Sequence, residues 1–271
     1  MTDVSGYYGS SDQLTKVRTA LDQLEPDGGT IPLESLAGFD HFHTGGPVAT
    51  TALANLLDLG PDSTVLDAGC GAGGPARALA ARFGCRVIGV DLTPMFVDIA
   101  RLLNDRTGYS ELVDPRVGDI IELDLPDASV DAVFTQHVAM NIADRPRLYG
   151  ELRRVLRPGG KLALFDVVDG GGGELRLPVP WAAVPGHSHL VTRDAMRELL
   201  TDAAFSIDVW KDPTAQMLGM MQELLRASPP SEPPRLGFHL YVEDMPTKLA
   251  TYVRNLEEGR TALLMAIATA A

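Results

Sequence analysis

The run Val65-Leu66-Asp67-Ala68-Gly69-Cys70-Gly71-Ala72-Gly73-Gly74 constrains this chain more than any other stretch. A short apolar segment enters a glycine loop, and a helical pattern follows over Ala76–Phe83. A second apolar segment, Arg86–Val90, then ends on Asp91. Strand, glycine turn, helix and strand ending in an acid form the nucleotide-binding half of a doubly wound fold. The glycines are needed because the backbone must turn sharply and lie against a ligand, where a Cβ would clash.

Gly69, Gly71 and Gly74 satisfy the GxGxxG spacing of dinucleotide binders, which seat a pyrophosphate over a helix N-terminus. Asp67 argues against that ligand. A carboxylate two residues before the first glycine would be repelled by two phosphate charges at low effective dielectric. It suits a ligand that carries an ammonium group and no phosphate. Asp91 falls where a carboxylate can accept from both hydroxyls of a ribose.

The alternation continues. Strands are expected at 64–68, 86–91, 114–118, 130–136 and 161–168, with helices at 74–83, 94–106 and 144–156. Short turns between them imply a parallel sheet covered on both faces. Thr192 caps a further helix through Ala203, and Phe205–Lys211 reads as a sixth strand. Ahead of the core stand helices at Ser11–Leu24 and Pro47–Leu57, with Phe39-Asp-His-Phe-His43-Thr-Gly-Gly46 between them. Behind it, Ala215–Ala227 and Met245–Glu258 look helical around the proline-rich Pro229–Pro234. Thr261–Ala270 is ambiguous, since its Ala and Leu favour helix.

Composition narrows the function. A chain of 271 residues with 45% hydrophobic residues can bury a full core. A net charge of −13 argues against nucleic acid, whose phosphates would be repelled. With only four lysines (Lys16, Lys161, Lys211 and Lys248) no polybasic stretch marks a membrane surface. No charged–apolar–small signal opens the sequence, so a cytoplasmic protein is expected. Two cysteines make no disulfide framework; Cys70 reads as a loop filler and Cys85 as a buried residue.

Asp67-Ala-Gly-Cys-Gly-Ala-Gly-Gly74 resembles the first motif of class I S-adenosylmethionine-dependent methyltransferases. In the same order, Val90-Asp91-Leu92-Thr93 resembles the ribose motif and Val117-Gly118-Asp119-Ile120 the adenine-edge motif. Ser129–His137 resembles the fourth strand with its site-facing end, and Glu151–Gly160 the helix and turn leading into the fifth. The nearest likeness is to the small-molecule group with ubiquinone/menaquinone-type and sarcosine/dimethylglycine-type enzymes.

The resemblance implies an α/β fold: a doubly wound, seven-stranded, mostly parallel Rossmann-like sheet, with an N-terminal helical cap and a helical insertion near the C-terminus. Thr261–Ala270 becomes its seventh, antiparallel strand. Residues 1–60 are expected as cap or lid, with Tyr7 and Tyr8 in it. Residues 61–271 form the core, with a substrate-cover loop at 169–190 and the insertion at 213–258. S-adenosylmethionine is the implied cofactor and S-adenosylhomocysteine its product. Asp67, Ala68, Gly69, Cys70 and Gly71 would hold the methionine end, with Thr44 and Gly45 folding over it. Asp91 would take the ribose, and Gly118 and Asp119 the adenine edge. Leu92 and Ile120 would pack on the adenine faces, and Thr135 and Gln136 would line the pocket.

His137, after the fourth strand, and His43 are the candidate bases. Trp181, His187 and His189 would face a small-molecule acceptor. His41-Phe-His43 and His187-Ser-His189 put alternate imidazoles on one face of an extended chain. No Cys or carboxylate completes a metal spacing beside them, and no metal is expected. The first expectation is therefore O- or C-methylation of a natural product or other metabolite, in secondary metabolism. N-methylation of a glycine-like amine, or a non-methylating step such as ring closure on the same fold, are the alternatives. A homo-oligomer is left open.

Overall fold

The computed structural model describes residues 12–25, 27–227 and 236–271; Ser11, Tyr7, Tyr8 and Pro229–Pro234 lie outside them. Seven strands form one sheet in the order β3-β2-β1-β4-β5-β7-β6. They are β1 (Thr64–Ala68), β2 (Arg86–Asp91), β3 (Val113–Val117), β4 (Val130–Gln136), β5 (Leu156–Asp169), β6 (Phe205–Lys211) and β7 (Thr261–Ala270). All neighbours pair in parallel except β7, which runs antiparallel to both β5 and β6. The strand order reverses between β1 and β4, the switch point at which such sheets bind ligands.

The helices are α1 (Asp12–Leu24), the single turn α2 (Ala37–Asp40), α3 (Gly46–Ala54), α4 (Gly74–Phe83), α5 (Pro94–Thr107), α6 (Arg145–Val155), α7 (Arg193–Asp202), α8 (Thr214–Arg226) and α9 (Met245–Glu257). Residues alternate across the sheet, so Val65 joins the core on one face and Leu66 the core on the other. One face packs under α3, α4, α8 and α9, the other under α6 and α7. A third apolar cluster joins Val17 and Leu21 of α1 to Phe39, Ile99, Leu103 and Tyr241. No helix among the described residues is long and apolar enough to cross a membrane.

One departure from the sequence reading has a physical cause, and the expected seventh, antiparallel strand is present. α6 ends at Val155 and β5 starts at once, at Leu156, with a register shift against β4 between Val130 and Ala132. Gly159 sits at φ +78° in that irregular stretch, so a strand with a bulge replaces the expected turn. β7 lies between β5 and β6, and Thr261 through Ala268 are all buried. Burial on both faces gives a continuous apolar run, and here tertiary packing overrides helix propensity.

Candidate functional site

Two cavities meet at the carboxyl ends of β1 and β4. The first lies against the loop between β1 and α4. Gly69 (φ +81°) could not carry a side chain, because a Cβ would sit 2.3 Å from Val138 Cγ2. At Gly71, by contrast, nothing lies within 4 Å of where a Cβ would be, so this part of the loop is open to a ligand. Asp91 fixes the loop: its Oδ2 accepts from the Gly71 N–H at 2.9 Å and its Oδ1 from the Thr93 N–H at 2.9 Å.

This cavity holds about 200 Å³. The expected Gly69, Cys70, Gly71 and Asp91 line it, as do Leu92, Gly118, Asp119, Ile120 and Gln136. Leu92 is 50% exposed, an apolar side chain left open beside buried Ile120. Asp67 stands behind the lining, 2% exposed, and its Oδ2 has no hydrogen-bond partner among the described residues. Burial, and then the charge of Asp91, push its carboxyl up to about 7, although the Ala76 N–H at the start of α4 pulls the other way. A buried carboxylate with a spare acceptor, under a loop with an open face, fits a ligand bearing a positive charge. Ala68 and Thr135 are also buried behind the wall.

Thr44 and Gly45, expected at the methionine end of the cofactor, are among the residues lining the second cavity and not among those lining the first. Gly45 has φ +79°, and a Cβ there would lie 2.7 Å from Met217 Sδ, so close packing against α8 requires the glycine.

The second cavity holds about 450 Å³. The segments 37–46, 180–181, 220–224 and 238–252 supply its wall, and the core adds only His137 and Met140. Met220, Met221 and Leu224 of α8 face Met245, Leu249 and Tyr252 of α9 across it. No Asp, Glu, Lys or Arg stands among the described lining residues. Trp181 belongs to this wall: it is 2% exposed, its ring meets that of Tyr252 edge-on at 5.0 Å, and its Nε1 donates to Ser188 Oγ at 3.0 Å. His187 and His189 are not among the described residues lining either cavity. Their backbone carbonyls instead accept from Asn141 Nδ2 and Arg145 Nη2, which pins the loop.

Phe42, His43 and His137 line both cavities and form the partition between them. His137 has φ +56°, a strained conformation for a non-glycine residue. Its Nε2 accepts from the Thr44 N–H at 3.3 Å, which puts the ring proton on Nδ1, 3.4 Å from the Phe165 carbonyl. Thr44 Oγ1 lies 2.9 Å from that Nε2 and 3.0 Å from the Tyr252 hydroxyl. Burial lowers the imidazole of His137 to about 4, against the Phe165 hydrogen bond that raises it. His43 Nε2 is 3.1 Å from Thr50 Oγ1, whose hydroxyl donates to Gln136 Oε1 at 2.9 Å. Burial, then His137 and His41, hold His43 well below the usual imidazole range. Both partition histidines are neutral at physiological pH.

Sequence reasoning missed a buried network behind the partition. The Asp40 carboxylate accepts from Arg77 Nη2 at 2.8 Å and lies 2.8 Å from His41 Nδ1. Arg77, with no exposed surface, also donates to the Ala72 carbonyl at 2.7 Å and to Asn104 Oδ1 at 2.9 Å. The available signal was an arginine at the apolar start of α4, where only a buried partner explains a charge.

The sheet order, the cavity at the switch point and the acids ending β1 and β2 define a class I methyltransferase fold. Residues 66–164 match the family model described as a methyltransferase domain. The chain is 29% identical over 197 residues to phosphoethanolamine N-methyltransferase 1 of Zea mays, across 73% of this chain and 39% of that protein. It is 33% identical over 136 residues to the sterol 24-C-methyltransferase of Eremothecium gossypii, across 48% and 36%. Among solved structures, geranyl diphosphate C-methyltransferase of Streptomyces coelicolor superposes with a TM-score of 0.67 at 18% identity, covering 93% of this chain and 98% of that one. The chain is thus similar to S-adenosylmethionine-dependent methyltransferases, and its residues 66–164 match their domain. It spans well under half the length of these two curated relatives.

Proposed function

We propose that this protein transfers the methyl group of S-adenosylmethionine to an uncharged, largely apolar small molecule, by O- or C-methylation of a natural product or other metabolite. The supporting observation is the pair of cavities divided by Phe42, His43 and His137, one walled by strand-end acids and the other with no Asp, Glu, Lys or Arg among its described lining residues. When bound, the cofactor supplies a methyl group already activated by its sulfonium. The protein's task is then to align the acceptor and exclude water.

Asp67 would balance the ammonium of the methionine end, Asp91 would accept from the ribose, and Asp119 would meet the adenine edge. Leu92 and Ile120 would flank the ring, with Gln136 at the pocket's inner end. The acceptor would lie beneath a cover made of the cap (1–60), the 169–190 loop and the 213–258 insertion. His137 and His43 stand where donor and acceptor cavities join. Their ring nitrogens already bond to Thr44, Phe165 and Thr50, so in this reading they hold the partition and the acceptor's orientation. A cytoplasmic setting in secondary metabolism accompanies this reading.

The relatives' acceptors named above include phosphoethanolamine and geranyl diphosphate, both anionic. Burying a phosphate against an apolar wall without a cation is costly. The same absence of a cation disfavours the carboxylate of a glycine-like amine.

The test is transfer of labelled methyl to four acceptors: 2-naphthol, phosphoethanolamine, geranyl diphosphate and glycine. Label in the uncharged acceptor alone is expected. Label in phosphoethanolamine, geranyl diphosphate or glycine alone would overturn the acceptor class. Label kept on the donor throughout, with a wider set of hydroxylated metabolites, would favour the non-methylating reading.

A further inference from the structure

The dyad of Asp40 and His41 has a geometry that packing alone does not explain. Its Nδ1 lies 2.8 Å from Asp40 Oδ1. A carboxylate at that distance holds a ring proton on Nδ1, which in a neutral imidazole leaves the lone pair on Nε2. That Nε2 is buried and has no partner among the described residues, and His41 is one of the residues lining the second cavity, which has no Asp, Glu, Lys or Arg among its described lining residues. A buried acceptor left unmet is unfavourable, so the nitrogen awaits a donor that the described residues do not supply.

The loop is shaped to admit this dyad. A Cβ on Gly74 would lie 2.4 Å from the Asp40 carbonyl oxygen and 2.6 Å from His41 Nδ1. A Cβ on Gly73 would lie 2.9 Å from Arg77 Nη1. The last two glycines of the loop therefore make room for the dyad and its arginine. The ring nitrogens of His43 and His137 have protein groups within hydrogen-bonding distance, as described above. His41 keeps one nitrogen open.

We propose that His41, oriented by Asp40, is the catalytic base that receives the proton of a hydroxyl-bearing acceptor; this rests on the methyl-transfer reading above. As the acceptor oxygen bonds to the methyl carbon, the carbon–sulfur bond breaks and its electron pair stays on sulfur. The O–H bond breaks in the same event, and the proton passes to His41 Nε2. Asp40, fixed by Arg77, stabilises the imidazolium across Nδ1–H until the proton leaves to water. Asp40 is a positioning residue in this scheme.

The first experiment needs no turnover. Protein with ¹⁵N-labelled histidine rings is saturated with S-adenosylhomocysteine and titrated with 2-naphthol, with Trp181 fluorescence in a Trp210→Phe background reporting that the probe is bound. His41 is expected in the Nδ1–H form, with its Nε2 resonance moving as the naphthol hydroxyl donates to it. A protonated Nε2, or one unmoved by bound probe, overturns the proposal. In the second experiment, His41→Ala is expected to lower kcat at least 100-fold on a methylated hydroxyl acceptor, with S-adenosylhomocysteine affinity within threefold of the parent. Free imidazole should restore part of the rate, and Asp40→Asn should shift the tautomer and cost about tenfold. Turnover within threefold of the parent in His41→Ala overturns it. Should that variant not fold, the resonance of the parent protein decides. A parent that methylates nothing would instead sink the methyl-transfer reading, which keeps the two failures apart.

Discussion

The two cavities are built by different means. The first cavity, proposed for the donor, is walled by backbone and strand ends: Gly69–Gly71 after β1, Asp91 ending β2, Gly118–Ile120 after β3 and Gln136 ending β4. Its geometry follows from sheet topology, because parallel strands must deliver their carboxyl ends to one edge. The second cavity, proposed for the acceptor, is walled by residues of segments far apart in sequence, from Ala37 to Tyr252. Its geometry follows from how the cap and the insertion pack. A ligand recognised by topology can be read from a short motif. A ligand recognised by packing cannot.

The largest effect expected on the donor side comes from Asp67→Asn. Removing a charged partner at a buried site costs about 3 kcal/mol, so S-adenosylhomocysteine affinity measured by calorimetry should fall about 100-fold. Binding of 2-naphthol, read from Trp181 in the Trp210→Phe background, should stay within about twofold, because additivity holds between separate sites. Equal losses at both cavities would mean that they do not act separately.

Next in size is the response to pH. Burial raises the Asp67 carboxyl from 3.8 to about 7. For a carboxylate raised in the folded state, the protonated form stabilises the ligand-free protein below the unfolded value, and that stability is lost as pH rises through about 7. A ligand ammonium favours the ionised form. Donor affinity should therefore fall by up to about tenfold for each pH unit below 7 and level off above it, with proton release on binding at pH 6. Calorimetry in buffers of different ionisation enthalpy measures both. No Asp, Glu, Lys or Arg stands among the described lining residues of the second cavity, and burial lowers the imidazoles of His43 and His137, so 2-naphthol binding should vary with pH far less than donor binding over pH 6–8.

This contrast also explains what the sequence disclosed. The strands, the loop, the acid ending β2 and the acid after β3 were legible because periodicity and spacing encode a topology, and nine of the residues expected at the cofactor line the first cavity. Thr44 and Gly45, expected with the cofactor loop, line the second cavity instead of the first, since nothing local says which side of a partition a loop faces. His187 and His189 were chosen for residue type, and their backbones turned out to anchor the loop instead. Arg77 and Asp40 went unread because their pairing spans 37 residues and declares itself only in three dimensions.

A smaller effect should come from Tyr252→Phe. Its hydroxyl lies 3.0 Å from Thr44 Oγ1, which in turn sits 2.9 Å from His137 Nε2, so the change removes the outer link of the chain that positions the partition. One neutral hydrogen bond is worth about 1 kcal/mol, and acceptor kcat/KM should fall about fivefold while S-adenosylhomocysteine affinity holds. An unchanged kcat/KM would remove Tyr252 from acceptor positioning.

The smallest effect should come from Leu224→Ala, and it is the sharpest probe of the boundary. Leu224 lines the acceptor cavity yet stays 65% exposed, so it stands at the mouth, where a bound acceptor can cover only part of it. Covering some 20 Å² of apolar surface at about 25 cal/mol per Å² contributes roughly 0.5 kcal/mol, or about a twofold rise in acceptor KM on truncation. Neither melting temperature nor donor affinity should move, because an exposed side chain adds little to the core and none of α8 lines the donor cavity among the described residues. A rise of tenfold or more would mean that α8 closes over the acceptor and buries Leu224 in the bound state. A change in donor affinity of the same size as the change in KM would mean that α8 reports on both cavities, and the partition would no longer separate them.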